Sequence, residues 1–137
     1  MKSKTLLIAL LMSGVFIFGL SKAIKDTLQH HYSQSIFTGL DARFWNPSES
    51  WKNKYADFDT GSRQPAFPGS TSLLVSLTDA WHLFDLLSII GLLLAGMAAS
   101  RLVAVSNRPG RAWWLWGLFT LIAGLAMFHF FYTFVLV

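Results

Sequence analysis

"LLSIIGLLLAGMAA", residues 86–99, decides the fold class, because this stretch is apolar over nearly its whole length and has no charged side chain. The apolar run around it extends from about Leu73 to about Leu102. At a helical rise of about 1.5 Å per residue, such a run is long enough to cross a hydrocarbon core of about 30 Å. We therefore predict a membrane-spanning helix over residues 73–100.

Two further apolar runs predict two more spans, over residues 5–23 and 112–135. The last of them is interrupted only by His129 and a few mildly polar residues. The first has a basic start and small residues near its end, so it also fits a cleavable signal peptide. We interpret it as a retained signal-anchor helix, because it approaches the length of a full span when Ile24 is included.

The composition of the chain is that of a membrane protein with a single all-α domain. Hydrophobic residues make up 53% and charged residues 13% of the 137 residues, with a mean hydropathy of +0.47. The net charge of +4 does not indicate a nucleic-acid partner, because the basic residues are dispersed and several flank apolar runs. The lack of cysteine excludes disulfides, thiolate ligands and covalent c-type haem attachment.

The distribution of charge predicts the orientation of the spans. The loop 101–111 contains three arginines and no acidic residue, so the positive-inside rule places it in the cytoplasm. Lys2 and Lys4 place the N-terminus on the same side, which puts the C-terminus outside. Residues 24–72 are then an extracytoplasmic segment with balanced charge.

The motif "NPSESWKNKYA" within that segment predicts a short helix. Asn46 suits the N-cap, Pro47 suits the first helical position, and Glu49 completes a capping box. Trp51 and Tyr55 lie four residues apart and so share one face. We interpret this element as an interfacial helix on the outer membrane surface, with carbohydrate or lipid-headgroup binding as the alternative.

Two histidines on neighbouring spans are predicted to lie at the same depth. His82 lies about 28 Å along the second span from Arg101, and His129 lies about 27 Å along the third span from Arg111. This level is the outer edge of the hydrocarbon. The residues expected to form a polar cluster there are Asp26, His30, Asp79, His82, Asp85, His129 and Tyr132.

Ionisable side chains at membrane depth are candidate functional residues, because an unpaired charge there is costly. Asp85 and His82 are candidates for a general acid and base. His82 and His129 are candidate haem ligands, and together with Asp79 they are candidate ligands of a divalent metal. Packing of amphipathic side chains at the interface is the structural alternative for each.

The sequence contains no zinc-protease HExxH motif, nucleophile elbow, Walker loop or dinucleotide fingerprint. Small residues recur instead, at Gly91, Ala95 and Ala99 in the second span and at Gly117 and Gly124 in the third. These positions predict close helix packing within the bundle or in a homo-oligomer.

The strings "DTLQHHYSQSIF", "FWNPSESWKNKY", "PGSTS" and "TDAWHLF", followed by "FHFFY" in the last span, occur in this order. With these strings the chain resembles a family of small uncharacterised bacterial integral membrane proteins over nearly its whole length. The resemblance implies a multi-pass protein of the bacterial inner membrane. It implies no activity and no residue roles.

Three functions remain open from the sequence. The favoured interpretation is an accessory membrane protein that binds a partner or belongs to a larger membrane complex. The second is a protein that binds haem or a divalent metal at His82 and His129. The third is a membrane enzyme that acts on a lipid or envelope substrate with Asp85 and His82.

Overall fold

The computed structural model describes residues 2–137, with side chains from Lys4 onward. This part of the chain is helical and has no strand beyond an isolated bridge between Tyr55 and Pro65. The α-helices are α1 (Lys2–His30), α2 (Ala42–Trp45), α3 (Pro47–Ser50), α4 (Ala80–Ala104) and α5 (Pro109–Phe134). Short 3₁₀ helices cover Tyr32–Gln34, Ile36–Gly39, Trp51–Lys54 and Val75–Leu77.

Three of these helices are long and apolar enough to cross a membrane. The candidate spans are Lys4–His30, Ala80–Ala104 and Pro109–Phe134, with 27, 25 and 26 residues. Each exceeds the roughly 20 residues that a hydrocarbon core requires. The prediction of an all-α protein with three helices of spanning length is therefore confirmed.

Two boundaries differ from the sequence prediction. Helix α1 continues past Ala23 to His30, and Thr27 and Leu28 on this extension are buried. Helix α4 begins at Ala80 rather than near Leu73, because the side chain of Asp79 caps it and the preceding residues form turns. Short polar side chains before a helix commonly take such backbone bonds and thereby fix where the helix starts.

Helix α1 is the central helix, because both α4 and α5 pack against it. An added Cβ on Gly14 would lie 2.5 Å from the backbone nitrogen of Ala95. An added Cβ on Gly19 would lie 2.5 Å from the Cβ of Met127. The predicted close packing is found at Gly91 and Gly124, with α1 as the partner in both. It is not found at Gly117, where an added Cβ would meet no atom within 4 Å.

The two crossings leave α5 with a narrow packed stripe. In the most apolar 18-residue stretch of α5 only 6% of the residues are buried, compared with 39% in the corresponding stretch of α1. The residues of α5 with reduced exposure recur every three or four positions, which is the pattern of one helix face. They are Ala112, Trp116, Thr120, Ala123, Gly124, Met127, Phe128, Phe131 and Tyr132. Most of the remaining residues of α5 are exposed and apolar, as expected for a surface that faces lipid, with Arg111 and His129 as the ionisable exceptions.

Residues 31–79, here called the cap, fold over one end of the three-helix bundle. The predicted helix start is confirmed, since Asn46 accepts from the backbone N–H of Ser48 and its amide donates to Glu49 at 3.2 Å. This α-helix ends at Ser50, however, and a 3₁₀ helix follows instead of a single helix to Ala56. We call this end of the bundle the cap end, and the opposite end, with the turn at residues 105–108, the loop end.

Specific contacts hold the cap together and pack it against the bundle. Within the cap, the amide of Asn53 donates to the carbonyl oxygen of Thr78 at 3.0 Å and to that of Arg43 at 2.5 Å. The ring of Trp45 stacks on Phe37, with a centroid distance of 4.7 Å, and lies 5.9 Å from the ring of Phe84 on α4. The cap therefore has a defined position above the polar residues of the bundle.

Candidate functional site at the cap end

Asp79 and His82 form a hydrogen-bonded pair at the start of α4. One oxygen of Asp79 accepts from the backbone N–H of His82 at 2.9 Å, and the other lies 2.7 Å from its Nδ1. The hydroxyl of Thr78 also donates to this second oxygen, at 3.0 Å. The Asp79 side chain is 2% exposed and that of His82 27% exposed. Because the Asp79 carboxylate accepts at Nδ1, it favours the ring form that carries the proton on Nδ1. The other ring nitrogen, Nε2, can then bind a ligand or accept a proton.

Asp85 pairs with a lysine of α1 rather than with His82. Its Oδ1 lies 2.6 Å from Nζ of Lys25, and that ammonium also lies 4.9 Å from the ring centroid of Trp81. The side chains are 18% exposed for Lys25 and 37% exposed for Asp85. Nowhere in the described part of the chain does a hydrogen bond join Asp85 to His82. The structure thus supplies an ion pair between α1 and α4 where an acid and base pair was predicted.

Asp26 is paired within α1. Its carboxylate accepts from Lys22, four residues earlier, at 2.5 and 2.6 Å. The Lys22 ammonium lies 5.6 Å from the ring centroid of Phe128 on α5. Charges near the edge of the hydrocarbon are tolerated when they are neutralised by such pairs. Asp26 therefore has a structural partner on its own helix.

His129 and His30 lie apart from these pairs. His129 is exposed and lies outside the packed stripe of α5, and its ring contact is with Phe128, at a centroid distance of 5.2 Å. His30 is exposed at the end of α1. Tyr132 does lie on the packed stripe, where its ring meets His31 edge to face at 5.6 Å. The predicted equal depth of two histidines on α4 and α5 thus did not bring them into contact.

The predicted cluster is consequently resolved into separate pairs. Among the described residues, no three His, Asp or Glu side chains lie close enough together to hold one metal ion. Of the predicted metal ligands, the structure brings His82 and Asp79 together and leaves His129 on another surface. What this arrangement offers chemically is one oriented imidazole beside a buried carboxylate. Its use as a base or a ligand stays a prediction.

Sequence reasoning missed the lysines that neutralise the aspartates. The spacing of four between Lys22 and Asp26 is a signal that was available, because such residues face each other on a helix. The pair of Lys25 and Asp85 joins residues 60 positions apart and has no local signal. The same is true of Asn53, whose amide donates to the carbonyl oxygen of Thr78, 25 positions later in the cap.

Trp51 and Tyr55, predicted to face the membrane or a carbohydrate, belong to a cluster within the cap. The ring of Trp51 meets Phe58 edge to face at 4.6 Å. The guanidinium of Arg63 lies over Phe58 at 4.3 Å and over Tyr55 at 5.2 Å. Cation and aromatic contacts of this kind stabilise surface loops by about 0.5–1 kcal/mol each. This face of the cap is therefore partly occupied by its own chain.

A second surface of the cap is apolar and uncovered. Leu73 is 92% exposed, Leu74 44% and Leu77 63%, all within the five residues 73–77, shortly before α4 begins at Ala80. We call these three side chains the leucine surface. An isolated exposed leucine needs no explanation, but several within one short segment are a candidate contact surface for a protein or for the membrane.

Comparisons with protein-family models, with curated proteins and with solved structures found no match to this chain.

Proposed function

We propose that this chain is an accessory protein of the bacterial inner membrane that binds another membrane protein at its outer face. The observation that carries the proposal is the leucine surface, which the cap holds beside the start of α4 without covering it. The bond from Asn53 to Thr78 within the cap and the contact of Trp45 with Phe84 on α4 support it, because a docking surface on an ordered segment loses little conformational entropy on binding. We propose Leu73, Leu74 and Leu77 as the contact residues.

The proposal includes an orientation, with the cap outside and the loop end in the cytoplasm. It is supported by the arginines at the loop end and by the balanced charge of the cap. The chain has no cysteine, so a single introduced cysteine is a unique label. In intact cells, a membrane-impermeant thiol reagent is expected to label Gly61→Cys and to leave Asn107→Cys unlabelled until the membrane is opened. The reverse pattern would reject the orientation.

The docking step is tested with a photoreactive group attached to Leu73→Cys, with Thr71→Cys as the matched control two residues away. Both positions are exposed, but only position 73 belongs to the leucine surface. Illumination of native membranes is expected to give one discrete protein adduct from position 73 and little from position 71. The adduct should disappear in vesicles of pure lipid, where only the purified chain is present.

Two results would contradict docking of a protein. Equal adducts from positions 71 and 73 would show that the leucine surface is not a specific contact. Adducts with lipid alone, in native membranes and in vesicles alike, would show that these leucines insert into the bilayer instead.

A second candidate function is haem or divalent metal binding at His82. The specific observation that favours it is the buried Asp79 carboxylate 2.7 Å from Nδ1, since a carboxylate that orients a histidine is the usual support of a metal ligand. Elemental analysis and a visible absorption spectrum of the purified protein test it. Metal or a haem spectrum that is lost in His82→Ala but retained in His129→Ala would assign the site to His82. The same loss in both variants would support the predicted pair of histidines.

A further inference from the structure

The acidic residues of the chain are confined to the cap end. All seven lie between Asp26 and Asp85, and none belongs to the loop end. Among the residues with described side chains, no carboxylate lies within ion-pairing distance of a basic side chain at the loop end. The basic residues of that end whose side chains the structure describes are Lys4, Arg101, Arg108 and Arg111. The loop end therefore carries positive charge that the described chain does not neutralise.

Two of these arginines line an apolar groove at the start of α5. Arg108 and Arg111 line it together with Leu115, Trp116 and Phe119, and its volume is about 450 Å³. Its walls are largely apolar, and both arginines are exposed. Trp116 and Phe119 meet edge to face at a centroid distance of 6.1 Å. The groove thus combines two cationic side chains with an aromatic and aliphatic lining, here called the apolar floor.

Arg108 and Trp116 also line a second groove at the loop end, together with Lys4 and Ile8 of α1 and Leu102 of α4. A ligand bound at Arg108 would thus have the apolar side chains of two grooves near it. Two apolar linings that share one arginine are suited to a molecule with one anionic centre and two acyl chains.

The chemistry of these residues specifies the class of ligand. The fork of a guanidinium matches the oxygens of a phosphate, and two guanidiniums favour a headgroup with net negative charge over a zwitterionic one. A free phosphate would leave the apolar floor unused, whereas acyl chains would cover it. Basic pockets between membrane helices on the cytoplasmic side are known to hold anionic headgroups. We propose that the groove of Arg108 and Arg111 is a binding site for an anionic phospholipid, whose phosphate contacts the two arginines and whose chains lie on Leu115 and Trp116.

Native mass spectrometry of the purified full chain tests the proposal with phosphatidylglycerol as the probe and phosphatidylcholine as the neutral comparison. One molecule of phosphatidylglycerol is expected to remain bound per chain, at a concentration at which phosphatidylcholine is lost. The Arg108→Gln/Arg111→Gln variant is expected to weaken this binding about tenfold or more, or about 1.4 kcal/mol.

The matched control is Arg101→Gln, which removes the same kind of charge at the same end. Arg101 borders a different groove, with Leu92, Met97 and Ser100. The affinity for phosphatidylglycerol is then compared between the single variants Arg111→Gln and Arg101→Gln. This comparison distinguishes a defined binding site from general attraction of anionic lipid by surface charge. We expect Arg101→Gln to change the affinity less than twofold. Equal weakening by the two single variants would overturn the proposal, since each surface cation attracts anionic lipid to a similar extent.

The apolar part of the site has its own test. Leu115→Gln is expected to weaken lipid binding severalfold, whereas Leu118→Gln, on an exposed position of α5 outside the groove, should not. Inorganic phosphate in millimolar excess is expected to leave the bound lipid in place. Displacement by inorganic phosphate, or equal retention of phosphatidylcholine, would overturn the assignment to an anionic phospholipid. Circular dichroism of each variant checks that the helices are retained.

Discussion

The crossing of α1 and α4 at Gly14 offers the sharpest test of the packing. Replacement of Gly14 by alanine places a methyl group 2.5 Å from the backbone nitrogen of Ala95 and 2.8 Å from the carbonyl oxygen of Gly91. Both neighbours are backbone atoms of a helix, so neither can move by rotation of a side chain. The two helices must separate locally by about 1 Å to restore ordinary contact distances.

The expected cost follows from this separation. A gap of about 0.5–1 Å forfeits roughly a quarter to a half of the dispersion energy of the contacts concerned, and overpacking of this kind costs about 1–3 kcal/mol. Alanine has the higher helix propensity, which offsets up to about 1 kcal/mol. Gly14→Ala is therefore expected to lower the free energy of unfolding by about 1–2 kcal/mol.

Gly96→Ala is the matched control, because an added Cβ there meets no atom within 4 Å. Reversible unfolding of the purified protein in mixed micelles with increasing dodecyl sulfate, followed by circular dichroism, measures both variants. Gly96→Ala is expected to match or slightly exceed the wild-type stability. If Gly14→Ala is as stable as Gly96→Ala, α1 and α4 do not approach each other as closely at Gly14 as this crossing requires.

Three further perturbations address the polar residues and the cap. Asp85→Asn leaves the ammonium of Lys25 unpaired and is expected to lower the free energy of unfolding by about 1–2 kcal/mol in the same unfolding assay. The double variant Lys25→Met/Asp85→Leu is expected to be closer to the wild type in stability. If the double variant instead loses the sum of what Lys25→Met and Asp85→Leu each lose, the two residues are not coupled. Asp79→Ala removes the N-cap of α4 and is expected to lower the free energy of unfolding by about 1–2 kcal/mol, and Asp79→Asn should retain most of the wild-type stability. Equal losses in the two variants would assign the loss to the contact with His82 and not to capping. Asn53→Ala removes the bond to Thr78 within the cap and is expected to speed limited proteolysis of residues 31–79, with Gln64→Ala unchanged. Identical digestion rates would mean that this bond does not stabilise the cap.

The local parts of the site were open to prediction from sequence, and its long-range pairs were not. Asn46 and Pro47 predict the start of α3 correctly, because capping depends on a few adjacent residues. The leucines before α4 were predicted to belong to the membrane span, since hydropathy does not distinguish apolar residues just before a helix from those within it. Only the bonds of Asp79 to the backbone of α4 place these leucines on the cap instead.

The sequence by itself determined how many helices are long and apolar enough to span a membrane. This number follows from hydropathy and from the fixed rise per residue, because lipid admits only apolar segments of sufficient length. The tertiary structure decided which residues of neighbouring helices meet, as the separation of His129 from His82 and the pairing of Lys25 with Asp85 illustrate. The rotation of each helix about its axis decides such contacts. That rotation is set by the combined packing of all three helices, through the close approaches at Gly14 and Gly19 on α1.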